Sequence, residues 1–347
     1  MKKYFQQKLP LIEKTVGQIL PPKVTQSWLK KHIGEVDYQF NPDIWLQTIS
    51  RPFYHMFASG GKRFRPVLTY LLHDIFTGRN EDIDELAVIP ELIHSGTLII
   101  DDIEDKSLTR RGKKCVYQQF GTAISVNNGN FLYYFAQKII HDSHLSDQKK
   151  ILAYQIITDK LTSLHLGQAM DIEWSQQHDF SIDEADYLQM TAYKTSALLS
   201  VAMQLGAIAA DHLSNLRAIN DIAKNMGMAF QIRDDILNLK PTGAWGKATG
   251  EDISEGKISL LVIHTIKKAQ PTDKKKLIHI LSQSTTDKKL ISQAIDIIDH
   301  YQAFNYAQEL ANKLISQAKT TTVKNLPANQ YRKILLQILD YCIQREK

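Results

Sequence analysis

The sequence predicts an all-α protein, and three observations carry that expectation. Apolar residues recur three or four apart through most of the 347-residue chain, strand signals are scarce, and turn signals fall between the periodic stretches. That spacing gives a helix one apolar face. It runs through Leu86, Ile89, Ile93, Leu98 and Ile99, and again through Ile151, Ile156, Ile157, Leu161, Leu164 and Leu166. Turns are expected at Ser59-Gly60-Gly61, Thr77-Gly78, Arg111-Gly112 and Pro241-Thr242-Gly243. Pro90 should kink or start the helix that leads to Asp101.

Bulk composition narrows the partners. Hydrophobic residues make up 43% and charged residues 23%, an ordinary globular balance. A net charge of +5 without a Lys/Arg-rich block argues against nucleic acid and is compatible with small anionic substrates. Two cysteines, Cys115 and Cys342, lie outside any CxxC or Cys/His spacing, so neither a disulfide framework nor zinc is expected and a reducing cytoplasm fits. Gln6, Gln7, Lys8, Glu13 and Lys14 interrupt any signal-peptide core. No stretch reaches the ~18 apolar residues of a membrane span.

Residues 1–45, with Pro21-Pro22 and several lysines, read as an N-terminal extension with some helix, and 46–347 as the main helical domain. Next comes Ser59-Gly60-Gly61-Lys62-Arg63-Phe64-Arg65-Pro66, three cations after a flexible Gly-Gly. Glycine permits close backbone approach, and Lys62 and Arg65 can serve one anion. The GxxxxGK[ST] phosphate loop is absent. His94 follows, on the apolar helix ahead of Asp101-Asp102-Ile103-Glu104-Asp105.

On a helix Asp101, Asp102 and Asp105 are neighbours, with Cβ atoms roughly 5–6 Å apart. Their repulsion calls for a cation, and Mg²⁺ shares oxygen ligands between carboxylates and phosphates. Arg110-Arg111-Gly112 lies close behind and suits phosphate oxygens. Lys194-Thr195 interrupts the helix from Tyr187 to Gly206.

A second acidic pair follows in Phe230-Gln231-Ile232-Arg233-Asp234-Asp235-Ile236-Leu237-Asn238, where Gln231, Asp234, Asp235 and Asn238 share most of a face. Lys247 and Lys257 then bracket a loop holding Glu251, Asp252 and Glu255. Each feature alone has a plainer reading. The first cluster could be a solvated helix end, the second an ion pair through Arg233, the Gly-Gly segment a surface turn, His94 a core residue and the lysines solvated. Two acid pairs about 130 residues apart on apolar helices are far more specific together.

These motifs, in this order, resemble the trans-prenyl diphosphate synthase family, over about residues 50–265. Glu251-Asp252-Ile253-Ser254-Glu255-Gly256-Lys257 is most similar to geranylgeranyl diphosphate synthases. The resemblance implies the isoprenoid synthase fold, a single large bundle of roughly ten or more helices around a central active-site cavity. It implies that Lys62, Arg65, His94 and Arg111 hold the diphosphate of isopentenyl diphosphate. Asp101, Asp102 and Asp105 would bind Mg²⁺ with an allylic diphosphate, helped by Arg110, Lys194, Lys247 and Lys257. Asp234, aided by Asp235, would complete the metal set, and Thr195 and Gln231 would line the site of the allylic cation. A homodimer is implied as well. Asn238 departs from the DDxxD that many relatives carry at the second motif, as some geranylgeranyl synthases do.

The resemblance also implies a mechanism: Mg²⁺ and cations neutralise the departing diphosphate, and the double bond of isopentenyl diphosphate attacks the resulting cation. The tail should run toward the start of the Asp101 helix, over Gly96 and Thr97, whose small size leaves the floor open for a twenty-carbon product. Phe131, Tyr133 and Tyr134 could stop it further on. Three alternatives differ in signature. A farnesyl or longer-chain synthase would differ at that floor. A terpene cyclase would not need Gly-Gly-Lys-x-x-Arg-Pro, and its [ND]Dxx[ST]xxxE run is missing, since Asn220-Asp221 is followed by Lys224 and Met228. A non-catalytic regulatory subunit should have lost an aspartate motif, whereas the first is intact here.

Overall fold

Helix forms wherever the apolar period runs, and capping residues fix many of the ends. The computed structural model describes residues 1–79, 83–240 and 250–345. By its internal contacts the chain divides into Met1–Thr158 with Val201–Leu216, and Asp159–Ser200 with Arg217–Lys347. The first unit opens with α1 (Lys2–Ile19), α2 (Gln26–His32), α3 (Pro42–Trp45), a π turn over Leu46–Ser50, and α4 (Arg51–Phe57). It continues with α5 (Phe64–Thr77), α6 (Asp84–Glu104), the strands β1 (Thr109–Arg110) and β2 (Lys113–Lys114), α7 (Val116–Phe120) and α8 (Thr122–Asp142).

Residues 1–45 are packed structure. Tyr4, Lys8, Ile12, Val16 and Ile19 lie about one turn apart along α1 and are buried, against α5 and α6. Burying Lys8 requires a partner. Its Nζ lies 3.6 Å from Asp74 Oδ2 and 4.0 Å from the centre of the Tyr70 ring. The Tyr4 hydroxyl donates to the same carboxylate at 2.7 Å. Trp28 packs edge-on against Trp45, ring centres 4.6 Å apart, which ties α2 to α3.

Helix α6 starts at Asp84, with Asp84 and Glu85 in its first turn, where acids suit the helix dipole. Pro90 therefore lies within the helix and does not start it. α6 packs tightly against α8, and two glycines set the crossing. A Cβ on Gly96 would come within 2.9 Å of both Gly129 O and Tyr133 Cε1. A Cβ on Gly129 would come within 2.7 Å of Ile100 Cγ1. Gly96 is thus filled against α8 and does not open the floor assigned to it. Thr97 is half-buried, and its hydroxyl donates to His94 O at 2.8 Å. Tyr133 is buried in this contact, Phe131 stacks on Phe135, and Tyr134 is 74% exposed.

The remaining helices are α9 (Asp147–Gln177), α10 (Glu184–Lys194), α11 (Ser196–Ala209), α12 (Leu216–Leu239), α13 (Glu251–Ser254) and α14 (Leu260–Lys268). They end with α15 (Pro271–Ser282), α16 (Lys288–His300), α17 (Ala303–Asn325) and α18 (Gln330–Gln344). α14, α17 and α18 form the core of the second unit through Leu261, Val262, Ala307, Ala311, Leu335 and Leu339, all buried. Asp183 and Asp186 close α10 with a reciprocal capping box, and Asn329 caps α18. Ile157 and Leu164 are buried as the periodicity expects, whereas Ile151 and Leu166 are exposed. No described helix is long and apolar enough to cross a membrane.

Candidate active site

Two local constructions arise, one in each unit. In the first, a hairpin re-aims two adjacent arginines. Arg111 and Gly112 both have positive φ, at 53° and 77°, which is what a two-residue turn between twisted strands needs. The turn returns Arg110 to the end of α6. Its Nε donates to Asp102 Oδ1 at 2.6 Å and its Nη2 to Asp101 Oδ2 at 3.1 Å. The cation that the crowded carboxylates call for is, in this structure, a guanidinium. Asp105 caps the same helix end, half-buried. Asp102 is buried, and its Oδ2 has no hydrogen-bond partner. Burial pushes its carboxyl above the ordinary range despite Arg110. Beside it, burial and the Asp102 charge push the Cys115 thiol up to about 12.

Arg111 turns the other way, to the Gly60-Gly61 loop, where it donates to Gly60 O. Gly61 has φ 134°, and a Cβ there would meet Arg111 Nη1 and Arg63 Nη1 at 2.9 Å each. The backbone is what requires glycine here, since a Cβ would displace only the ends of two flexible arginine side chains. Arg63 is structural. It turns inward with φ 48°, donates to Phe57 O at 2.6 Å and pairs with Glu91 at 3.2 Å. Lys62 stays exposed.

Arg65 and His94 complete the recess. Arg65 Nε is buried without a hydrogen-bond partner, and burial, with Arg111 nearby, pulls its pKa down to about 10. His94 is driven well below the usual imidazole range by burial, then by Arg65, Arg111, Arg110 and Arg63. Four guanidiniums thus crowd one neutral imidazole. Glu91 balances Arg63, and Asp101 and Asp102 balance Arg110, which leaves Arg65 and Arg111 as the guanidiniums best placed to take an anion. Arg65 and Arg111 act on the charge of His94, as Arg63 and Arg110 do, and Arg63 is itself held by Glu91.

The second construction lies around the break between α10 and α11. Lys194 ends α10 and donates to Asp171 Oδ2 at 2.6 Å. The Thr195 hydroxyl donates to Gln231 Oε1 at 2.9 Å, and Gln231 Nε2 donates to Asp235 Oδ1 at 2.9 Å. Tyr187 donates to Asp235 Oδ2 at 2.7 Å. Asp235 is buried with both oxygens engaged, and burial, with the Asp252 charge, raises its pKa to about 8. That makes it an anchor for Gln231. Asn238 is buried too, and its Oδ1 accepts from Asp252 N at 3.1 Å.

Asp234 is half-buried and pairs with Arg345, while Arg233 donates to Gln308 and to Arg345 O. Gln231, Asp235 and Asn238 thus tie α12 to its neighbours, and Asp234 alone of the four acidic-face residues meets the arginine. Lys257 pairs with Glu255 at 2.6 Å. Lys247, like Pro241-Thr242-Gly243, lies outside the described residues. Among the described residues no group of three or more His, Cys, Asp or Glu side chains is gathered for a metal ion. Arg345, Asp171 and Tyr187 were not expected from the sequence. Arg345 lies 111 residues from the carboxylate it meets and belongs to no motif. Asp171 and Tyr187 lie on helices where nothing marks an inward-facing partner.

The chain is largely helical and carries two acidic motifs, each met by an arginine, and a cluster of arginines around His94. The polyprenyl synthetase family model matches residues 46–298, and the chain belongs to that family. The geranylgeranyl diphosphate synthase of Sulfolobus acidocaldarius is 33% identical over 303 residues, 85% of this chain and 90% of that protein. The crystal structure of geranylgeranyl pyrophosphate synthetase from Pyrococcus horikoshii aligns with TM-score 0.84 at 27% identity, covering 99% of each chain. A polyprenyl synthase from Caulobacter crescentus, complexed with calcium and isoprenyl diphosphate, aligns with TM-score 0.82 at 25% identity, over 100% of this chain and 98% of that one.

Proposed function

We propose that this prenyltransferase condenses isopentenyl diphosphate head-to-tail with allylic diphosphates and releases geranylgeranyl diphosphate. The observation that carries the substrate class is the arginine cluster around His94, in which Arg63 and Arg110 are paired with carboxylates while Arg65 Nε stays buried without a hydrogen-bond partner. Lys62, Arg65, His94 and Arg111 bind the diphosphate of the five-carbon substrate. Isopentenyl diphosphate offers a compact, multiply charged head suited to bidentate guanidinium contact.

The donor set fits Mg²⁺. Asp101, Asp102 and Asp105 offer hard oxygens at the end of α6, where the unpartnered Asp102 Oδ2 is one that a cation would satisfy, and Asp234 offers its own on α12. The metal supplies Lewis-acid neutralisation of the departing diphosphate. Arg110 releases its carboxylates as the allylic diphosphate enters and transfers its donors to phosphate oxygens. Lys194, oriented by Asp171, adds a further cation, as do Lys247 and Lys257. Asp235 serves by holding Gln231, whose carbonyl, with Thr195, faces positive charge as it develops on the allylic carbon.

The twenty-carbon product rests on the likeness to geranylgeranyl synthases and on Thr97. Because Gly96 is filled by Tyr133, that ring is the second determinant of length. Residues 46–347 carry the catalysis and 1–45 form an extension docked on it. A cytoplasmic homodimer fits this reading. Purified protein incubated with labelled isopentenyl diphosphate, each allylic primer and Mg²⁺ should release a twenty-carbon diphosphate. No elongation with any primer would refute the enzyme. Fifteen-carbon or longer products would refute the length alone. Thr97→Phe should shorten the product on chromatography.

A further inference from the structure

Both acidic motifs meet the same device, an arginine of this chain seated on the carboxylates. Arg110 lies eight residues beyond Asp102, within one loop. Arg345 comes from the far end of the chain, just past α18, and is held far more tightly than a chance surface pair. Its guanidinium stacks 3.8 Å above the Phe230 ring, donates to Phe230 O at 3.3 Å and pairs with Asp234 Oδ1. Its own carbonyl accepts from Arg233 Nε at 3.1 Å and Nη2 at 2.9 Å. Residues 230, 233 and 234, one turn of α12, thus grip a single residue. Arg345 is only 8% exposed.

The grip is incomplete in one respect. Arg345 Nε is buried without a hydrogen-bond partner. An optimised structural bridge would use that donor, since an unmade bond to a buried charged group costs stability. The carboxylate it covers is also the one in the second motif whose oxygens are not committed to Tyr187 and Gln231.

We propose that Arg345 is the resident counter-ion of the second acidic motif, displaced when a divalent cation is loaded there. The last helix thereby sets the affinity for that cation. The inference rests on the reading of Asp234 as a metal ligand. A divalent ion and a guanidinium cannot share Asp234 Oδ1, so metal affinity is reduced by the fraction of time the arginine is seated. Arg345 is a positioning residue acting through Asp234.

Manganese is the probe, because free Mn²⁺ is counted directly by electron paramagnetic resonance. The full chain is titrated with Mn²⁺ in the presence of inorganic pyrophosphate, as wild type, Arg345→Gln, Asp234→Asn and the double variant. Arg345→Gln should tighten one Mn²⁺ site about tenfold, the gain expected if the arginine is seated about nine-tenths of the time. Asp234→Asn should abolish that site, and the double variant should show no gain. If Asp234→Asn removes the site but Arg345→Gln leaves its affinity unchanged, the counter-ion is overturned and the metal reading stands. If Asp234→Asn leaves the site intact, the metal reading fails and takes the inference with it. Hydrogen exchange in the wild type guards against misfolding of the variant. Amides at 341–345 should exchange faster with Mn²⁺ and pyrophosphate present, and unchanged protection overturns the displacement.

Discussion

Arg65 illustrates how a single side chain can be poor for stability and necessary for binding. Its buried, unpartnered Nε and its lowered pKa mark a cation held against its electrostatic preference. Arg65→Gln should therefore leave thermal unfolding unchanged or slightly later, while the KM for isopentenyl diphosphate rises by about 10- to 100-fold, the size expected for a desolvated charge-assisted contact. A structural role would instead lower the unfolding temperature and leave KM little changed. His94 gives a second signature. Its pKa is depressed in the free enzyme first by burial and then by four arginines, and a bound diphosphate offsets the arginine part of that shift. The bound pKa is then the higher of the two, so binding takes up a proton and pyrophosphate affinity grows as pH falls toward 6. Calorimetry in two buffers of different ionisation enthalpy should show the uptake. Equal heats would contradict it.

Lys62, Arg65, His94 and Arg111 stand out in the sequence because they sit in recognisable spacings. What spacing could not reveal was the inward turn of Arg63, which depends on a left-handed backbone and on Glu91 waiting 28 residues away. Nor could it reveal that Asp235 would be consumed by Tyr187.

Among the elements, the α6–α8 crossing shows where periodicity stops being informative. The repeat around Leu86 to Ile99 identifies a buried helix correctly, yet says nothing about which residue meets which neighbour. Small residues at 96 and 97 read as free space, while the structure spends the first of them on a close helix contact. The two glycines of this crossing should differ in cost. Gly96→Ala drives a methyl into backbone Gly129 O and the Tyr133 ring, whereas Gly129→Ala meets chiefly the side chain of Ile100, which can rotate. The first should cost about 2–3 kcal/mol in chemical denaturation and the second about 1 kcal/mol or less. Equal costs would mean that the crossing relaxes as a whole. The exposed Ile151 and Leu166 carry the same lesson, since a long helix outlasts the face that covers it.

At the level of the whole molecule, the N-terminal segment and the bound ions are the two levers on stability. Lys8 is buried on Asp74, so Lys8→Ala strips a carboxylate of its cation and should cost about 3 kcal/mol, toward the low end for a broken buried pair because Tyr4 still donates to Asp74. A loss under 1 kcal/mol in urea unfolding would show that α1 is only loosely docked. Ligands act by mass action. Mg²⁺ alone should shift Tm little, because Arg110 and Arg345 already neutralise the carboxylates. Mg²⁺ with pyrophosphate at about 100 times its Kd should add about 2.7 kcal/mol, and EDTA should remove it. A large shift with Mg²⁺ alone would contradict the guanidinium seating. The helical class was plain from composition and period, but the docking of residues 1–45 was not, because it hangs on a buried lysine that sequence alone reads as solvated.

The thiol beside Asp102 has a practical consequence. Cys115 is buried with its thiol pushed up to about 12, and Cys342 is buried as well, so neither native sulfur is presented to a reagent. The natural chain is already a silent background for maleimide chemistry. One cysteine introduced on an exposed position of α18 would take a fluorophore or spin label alone, and could follow that helix in real time without first engineering the enzyme.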